Sequence, residues 1–189
     1  MIGNFNDVKE MPINRFAESP LGKKAEGSAM NEFENRADKP LALICDNVKC
    51  CPIENGKWEG ERGDSKWIPD LDYVPLKKNP EQKTWGEILK QYGIDGIVFK
   101  DGEPDFSEIS KGDVEIEPFS TNRDDNFDRA DIELAKQKGC TPEEVAKWRK
   151  EHGYTWHECK DMKIMQKVPS IIHNNVSHSG GISEAKKGA

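Results

Sequence analysis

Residues 154–181 read YTWHECKDMKIMQKVPSIIHNNVSHSGG and hold three of the chain's four histidines, His157, His173 and His178. Met165 to Pro169 reads as a short strand ending in a proline. Proline fits a first helical turn, because the N–H it lacks would be unpaired there anyway. The pattern therefore predicts a helix from about Ser170 that stops before Gly180-Gly181. His173 and His178 are five apart, so on an ideal helix they diverge by roughly 140°. They converge only if His178 lies where the helix has ended and the chain turns. One histidine from a strand and two from a helix and its exit make a three-ligand site for a divalent metal, with one coordination position open. The competing reading is a solvated helix with satisfied imidazoles. Against it, the fourth histidine, His152, is close in sequence, so residues 1–151 contain none.

Composition narrows the rest. Of the 189 residues, 34% are hydrophobic and 33% charged, enough for one modest core with long polar connections. No apolar run approaches the ~20 residues of a membrane-spanning helix, and residues 1–10 have no Sec-type signal pattern. Five cysteines, Cys45, Cys50, Cys51, Cys140 and Cys159, cannot all pair within the chain, and they read mostly as reduced thiols. The net charge of −7 is unfavourable for nucleic-acid binding. It is uneven, however. Residues 136–189 carry 10 Lys and Arg against 6 Asp and Glu, a balance of +4, and the preceding residues carry 18 against 29, a balance of −11. The histidine segment is the basic end.

Residues 1–39 lack periodicity and read as irregular, with a short helix at 31–37; 41–45 reads as a strand, and loop-rich sequence follows to about residue 80. Arg62 there reads as a turn arginine rather than a phosphate clamp. Thr84-Trp85-Gly86-Glu87 is a capping box, and Gly93 suits the far end of that helix. Ile97-Val98-Phe99 and Val114-Glu115-Ile116 read as strands, and Asp105 as a turn cap. Phe127, Ala130, Asp131, Leu134 and Ala135 recur at helical spacing up to Gly139. Thr141-Pro142-Glu143-Glu144 opens another helix, with Val145 and Trp148 expected to face the core and Gly153 to end it. Trp156 is expected in the core behind His157.

Trp156-His157-Glu158, Asp161, Met165-Gln166, Val168-Pro169, His173, His178 and Gly180-Gly181 together resemble the HNH/endonuclease VII superfamily of nucleases, in its toxin branch marked by Trp-His-His or Trp-His-Glu. Gly96, Lys100-Asp101-Gly102 and Pro104-Asp105-Phe106-Ser107 extend the resemblance, which spans about residues 84–186. It implies an α+β fold with a ββα-metal (His-Me finger) core near the C-terminus, additional helices and a loop-rich N-terminal part. The expected division is 1–80, a loop-rich linker or accessory region, and 81–189, the nuclease domain.

The resemblance also implies an activity, metal-dependent and non-specific DNA endonuclease cleavage. It implies a bacterial antagonistic toxin, secreted or delivered into a target cell's cytoplasm and blocked by a cognate immunity protein. Phosphodiester hydrolysis needs a base for water, a cation for the developing charge and neutralisation of the leaving oxygen. Carried over residue by residue, His157, His173 and His178 hold the metal. Glu158 stands where many relatives have a second histidine, the usual base. Either Glu158 is the base, or it binds metal and His157 is the base. Asp161 is expected to orient an imidazole through its second nitrogen, as Gln166 could. Three imidazoles favour zinc or nickel, and a carboxylate partner admits magnesium or manganese. The alternatives are an RNase on the same scaffold and a non-enzymatic module whose structural metal is closed by four protein ligands.

Overall fold

The computed structural model describes residues 48–187; the expected helix at 31–37 and strand at 41–45 lie outside them. Within the loop-rich region, β1 (Gly56–Trp58) and β2 (Lys66–Pro69) form a hairpin. The first helix, α1 (Trp85–Tyr92), starts where its capping box places it. Thr84 Oγ1 accepts from the Glu87 amide, and Glu87 Oε2 accepts from the Thr84 amide at 2.8 Å. Gly93 ends it at φ 71°, a left-handed conformation that costs glycine little. Next come β3 (Ile97–Lys100) and β4 (Glu103–Pro104), giving an antiparallel sheet in the order β1-β2-β3-β4.

After β5 (Asp113–Glu115) come two helices, α2 (Arg123–Lys138) and α3 (Pro142–Glu151). The chain then forms β6 (Tyr154–Glu158), β7 (Ile164–Pro169), α4 (Ser170–His173) and α5 (Gly181–Lys187). β7 is the centre of a second antiparallel sheet, β5-β7-β6. The class is α+β, and β6-β7-α4 is compatible with a ββα-metal unit.

Buried apolar residues form two clusters among the described residues. One joins Trp67, Trp85, Ile88, Ile97, Phe99 and Phe106 to Val168, Ile172 and Val176. The other joins Val114, Ala130, Leu134 and Val145 to Trp156 and Met165. The β6-β7-α4 unit thus contributes to both, which fixes it on two sides. Behind β6, Trp156 Nε1 donates to Asp131 Oδ1 at 2.8 Å, and Asp131 also pairs with Arg149 at 2.7 Å. Trp156, Asp131 and Arg149 are all buried, so this polar link ties β6 to α2 and α3.

Two local expectations change. α4 is a single turn ending at His173, and Gly181 opens α5 instead of stopping a helix. Trp148 is 37% exposed and stacks on His152 at 4.3 Å instead of entering the core.

Candidate metal centre

Strand alternation distributes the residues of β6. Neighbours on a strand point to opposite faces, so Trp156 and Glu158 face α2 while His157 faces the other way. The observed partners follow this rule. Glu158 accepts from Asn126 Nδ2 at 2.8 Å and from Arg123 Nε at 3.0 Å, both on α2. His157, only 1% exposed, packs edge-on against Phe106 at 5.0 Å and meets His173 and His178. Pro169 brings β7 into α4, which carries His173. The chain leaves α4 after one turn, and that places His178 back beside the strand.

Gly180 explains how the segment after His178 comes so close. A Cβ there would lie 2.7 Å from the Glu158 carbonyl oxygen, against backbone that has no freedom to move.

The ligand atoms of His157, His173 and His178 lie within 4.8 Å of one another. His157 Nδ1 and His173 Nε2 face each other at 3.3 Å. A tetrahedral zinc with Zn–N bonds of about 2.0–2.1 Å separates its nitrogens by about 3.3–3.4 Å, so this pair already has the spacing of two ligands. His178 donates Nδ1–H to the Val176 carbonyl at 2.7 Å, which leaves its Nε2 as the lone-pair nitrogen. Burial, and then the neighbouring imidazoles, push His173 well below the ordinary histidine range. Burial, and then His157, push His178 down to about 4. Neutral imidazole is the ligand form. Two buried nitrogens, His157 Nε2 and His173 Nδ1, have no hydrogen-bond partner, and the cluster is costly to bury without a partner in common. The residues present therefore fit a divalent metal.

Asp161 is not brought to the imidazoles. Its Oδ1 accepts from the Lys163 and Ile164 amides, each at 2.9 Å, and shapes the β6-β7 turn. Gln166 lies opposite His157 in the strand register. Asp105 caps its turn through the Ser107 amide, and Arg62 donates to the Val48 and Cys51 carbonyls. Cys50, Cys140 and Cys159 are free thiols. Residues not singled out by the sequence also belong here. Arg123 and Asn126 hold Glu158, and Glu103 on β4 reaches 3.7 Å from His157 Nε2. Glu103, His157 and Cys159 form a second group of ligand-type atoms. Burial, and then Glu103 and Asp161, push the Cys159 thiol well above its usual range, which keeps it protonated.

Fold and cluster define an α+β protein with a metal-competent three-histidine site. Residues 96–180 match the Colicin-DNase family, described as the DNase/tRNase domain of colicin-like bacteriocin. The matched segment includes all three cluster histidines, Glu103 and Glu158, and it supports a nuclease toxin domain. A search of curated proteins finds no match. Among the described residues, no helix is long and apolar enough to cross a membrane.

Proposed function

We propose that this chain is a metal-dependent, non-specific DNA endonuclease of the HNH type, acting as a bacterial antagonistic toxin. The observation that carries the reading is the convergence of His157, His173 and His178, with orphaned buried nitrogens on His157 and His173, inside a segment matching a nuclease toxin family. In this proposal the three histidines hold zinc, nickel, magnesium or manganese. A bound divalent cation supplies positive charge for the scissile phosphate and the leaving oxygen. Among the described residues the three-histidine group has no fourth His, Cys, Asp or Glu within the same spacing. That favours an open catalytic position over a closed structural site.

Of the two assignments left open by the sequence, the geometry favours His157 as ligand, which leaves the base role to Glu158 in this proposal. Glu158 belongs to neither group of ligand-type atoms. Its carboxylate is oriented by Asn126 and Arg123. Asp161 serves by shaping the turn that follows. The nuclease function is placed in residues 81–189, with the β1-β2 hairpin as an accessory piece on the β3 edge. DNA is the substrate, a cognate immunity protein the inhibitory partner, and delivery into a target cell's cytoplasm the setting.

The test is cleavage of supercoiled plasmid and of tRNA by the purified chain, with each of the four metals. Plasmid nicking with tRNA intact supports the proposal. Cleavage of tRNA alone would replace it with an RNase on the same site, an outcome the family description also accommodates.

A further inference from the structure

His157 has two nitrogens, and the three-histidine reading uses only one. Nδ1 faces His173, while Nε2 is buried without a hydrogen bond. A ligating histidine whose second nitrogen is unheld can take the wrong tautomer or rotate. His178 solves this locally through the Val176 carbonyl. His157 has no such backbone acceptor. The charged oxygen that faces its Nε2 is Glu103 Oε1, at 3.7 Å. Glu103 comes from β4, paired with Lys100, and reaches the site by tertiary packing alone. Its Oε1 is anchored, because it accepts from the Lys160 amide at 2.7 Å just beyond β6. The Lys160 ammonium donates to the Asp101 carbonyl at 2.7 Å, tying the β3-β4 turn to the same segment. A closure of under 1 Å brings Oε1 and Nε2 to ordinary hydrogen-bond distance.

We propose that Glu103 is the positioning residue of the metal site: its carboxylate accepts Nε2–H of His157 and so holds the Nδ1 lone pair toward His173 and His178. The proposal rests on the three-histidine reading. It identifies Glu103 as the carboxylate that Asp161 was expected to be.

The experiment is zinc titration by calorimetry on the full chain and on Glu103→Gln, together with a long-range 1H–15N spectrum of the metal-free wild-type chain. Glutamine keeps an oxygen for the Lys160 amide, so the substitution removes the charge and spares the fold contact. The expected result is zinc affinity lower by about 10- to 100-fold in Glu103→Gln, with partial recovery in Glu103→Asp. The spectrum is expected to show His157 as the Nε2–H tautomer; it requires no variant and stands even if Glu103→Gln fails to fold. Zinc affinity within twofold of wild type in a folded Glu103→Gln, or a His157 protonated on Nδ1, would overturn the proposal and leave the metal site itself intact. A wild-type chain that binds neither zinc nor nickel would instead remove the three-histidine reading, and this inference with it.

Discussion

Trp156 and Glu158 face α2 while His157 between them faces the histidine cluster, because a strand turns successive side chains to opposite faces. Two of them cannot share one ion from adjacent strand positions, and the structure accordingly separates His157 from Glu158. Glu158→Gln is predicted to lower cleavage by roughly 100-fold or more while zinc affinity stays unchanged; a near-wild-type rate would take the base role away from Glu158. Asp161 belongs to a different category. Asp161→Ala removes two hydrogen bonds to turn amides and is predicted to cost about 1–2 kcal/mol of stability, read as a shift in the urea midpoint, with zinc affinity preserved. The sequence made the three histidines legible because they cluster within 22 residues of an informative pattern. Asp161 stands out for the same reason, proximity in sequence, and the structure shows its Oδ1 bonded to the turn amides of Lys163 and Ile164. Glu103, 54 positions before His157, could not be found that way.

Elements with local signals were readable, and those shaped by tertiary contacts were not. The capping boxes at Thr84 and Thr141 and the glycine stops at Gly93 and Gly139 lie within a few residues of the helices they bound, and all four appear. The early end of α4 is different. Asn175 leaves the helix to exchange hydrogen bonds with the Lys77 backbone, 98 residues away in sequence, a contact no periodicity reveals. Trp148 likewise follows helical spacing yet lies beside His152, with the Lys167 ammonium 4.4 Å from its ring centre. The element that positions His157 is β6, and it is held from behind by the buried Trp156–Asp131–Arg149 link. Asp131→Ala leaves the Arg149 charge buried and unpaired, and is predicted to cost about 3–5 kcal/mol, measured by chemical denaturation. A loss below 1 kcal/mol would show that β6 is anchored by its apolar packing alone.

At the scale of the whole molecule, an acidic chain carries its positive balance in the segment that holds the histidine cluster. The cluster also sets how the metal-free protein responds to pH. His173 and His178 titrate lower in the folded state than the ordinary 6.5 of an unfolded chain, His178 at about 4. The unfolded state therefore binds more protons across that interval, and stability is present above pH 6.5 and lost as pH falls toward 4. Urea midpoints of EDTA-treated protein are predicted to fall over this range, and less steeply in His178→Ala. Zinc is predicted to raise the thermal midpoint at pH 7 and to lose that effect in acid, since protons and metal compete for the same nitrogens. The central claim is that these three imidazoles make a nuclease. Its most direct test is plasmid nicking by the EDTA-treated chain before and after metal is restored, beside His157→Ala. The account predicts no nicking without metal, nicking on restoration, and none in the variant at any metal concentration that leaves it folded. Equal nicking by wild type and His157→Ala, or no cleavage of any nucleic acid by a folded, metal-loaded chain, would contradict it.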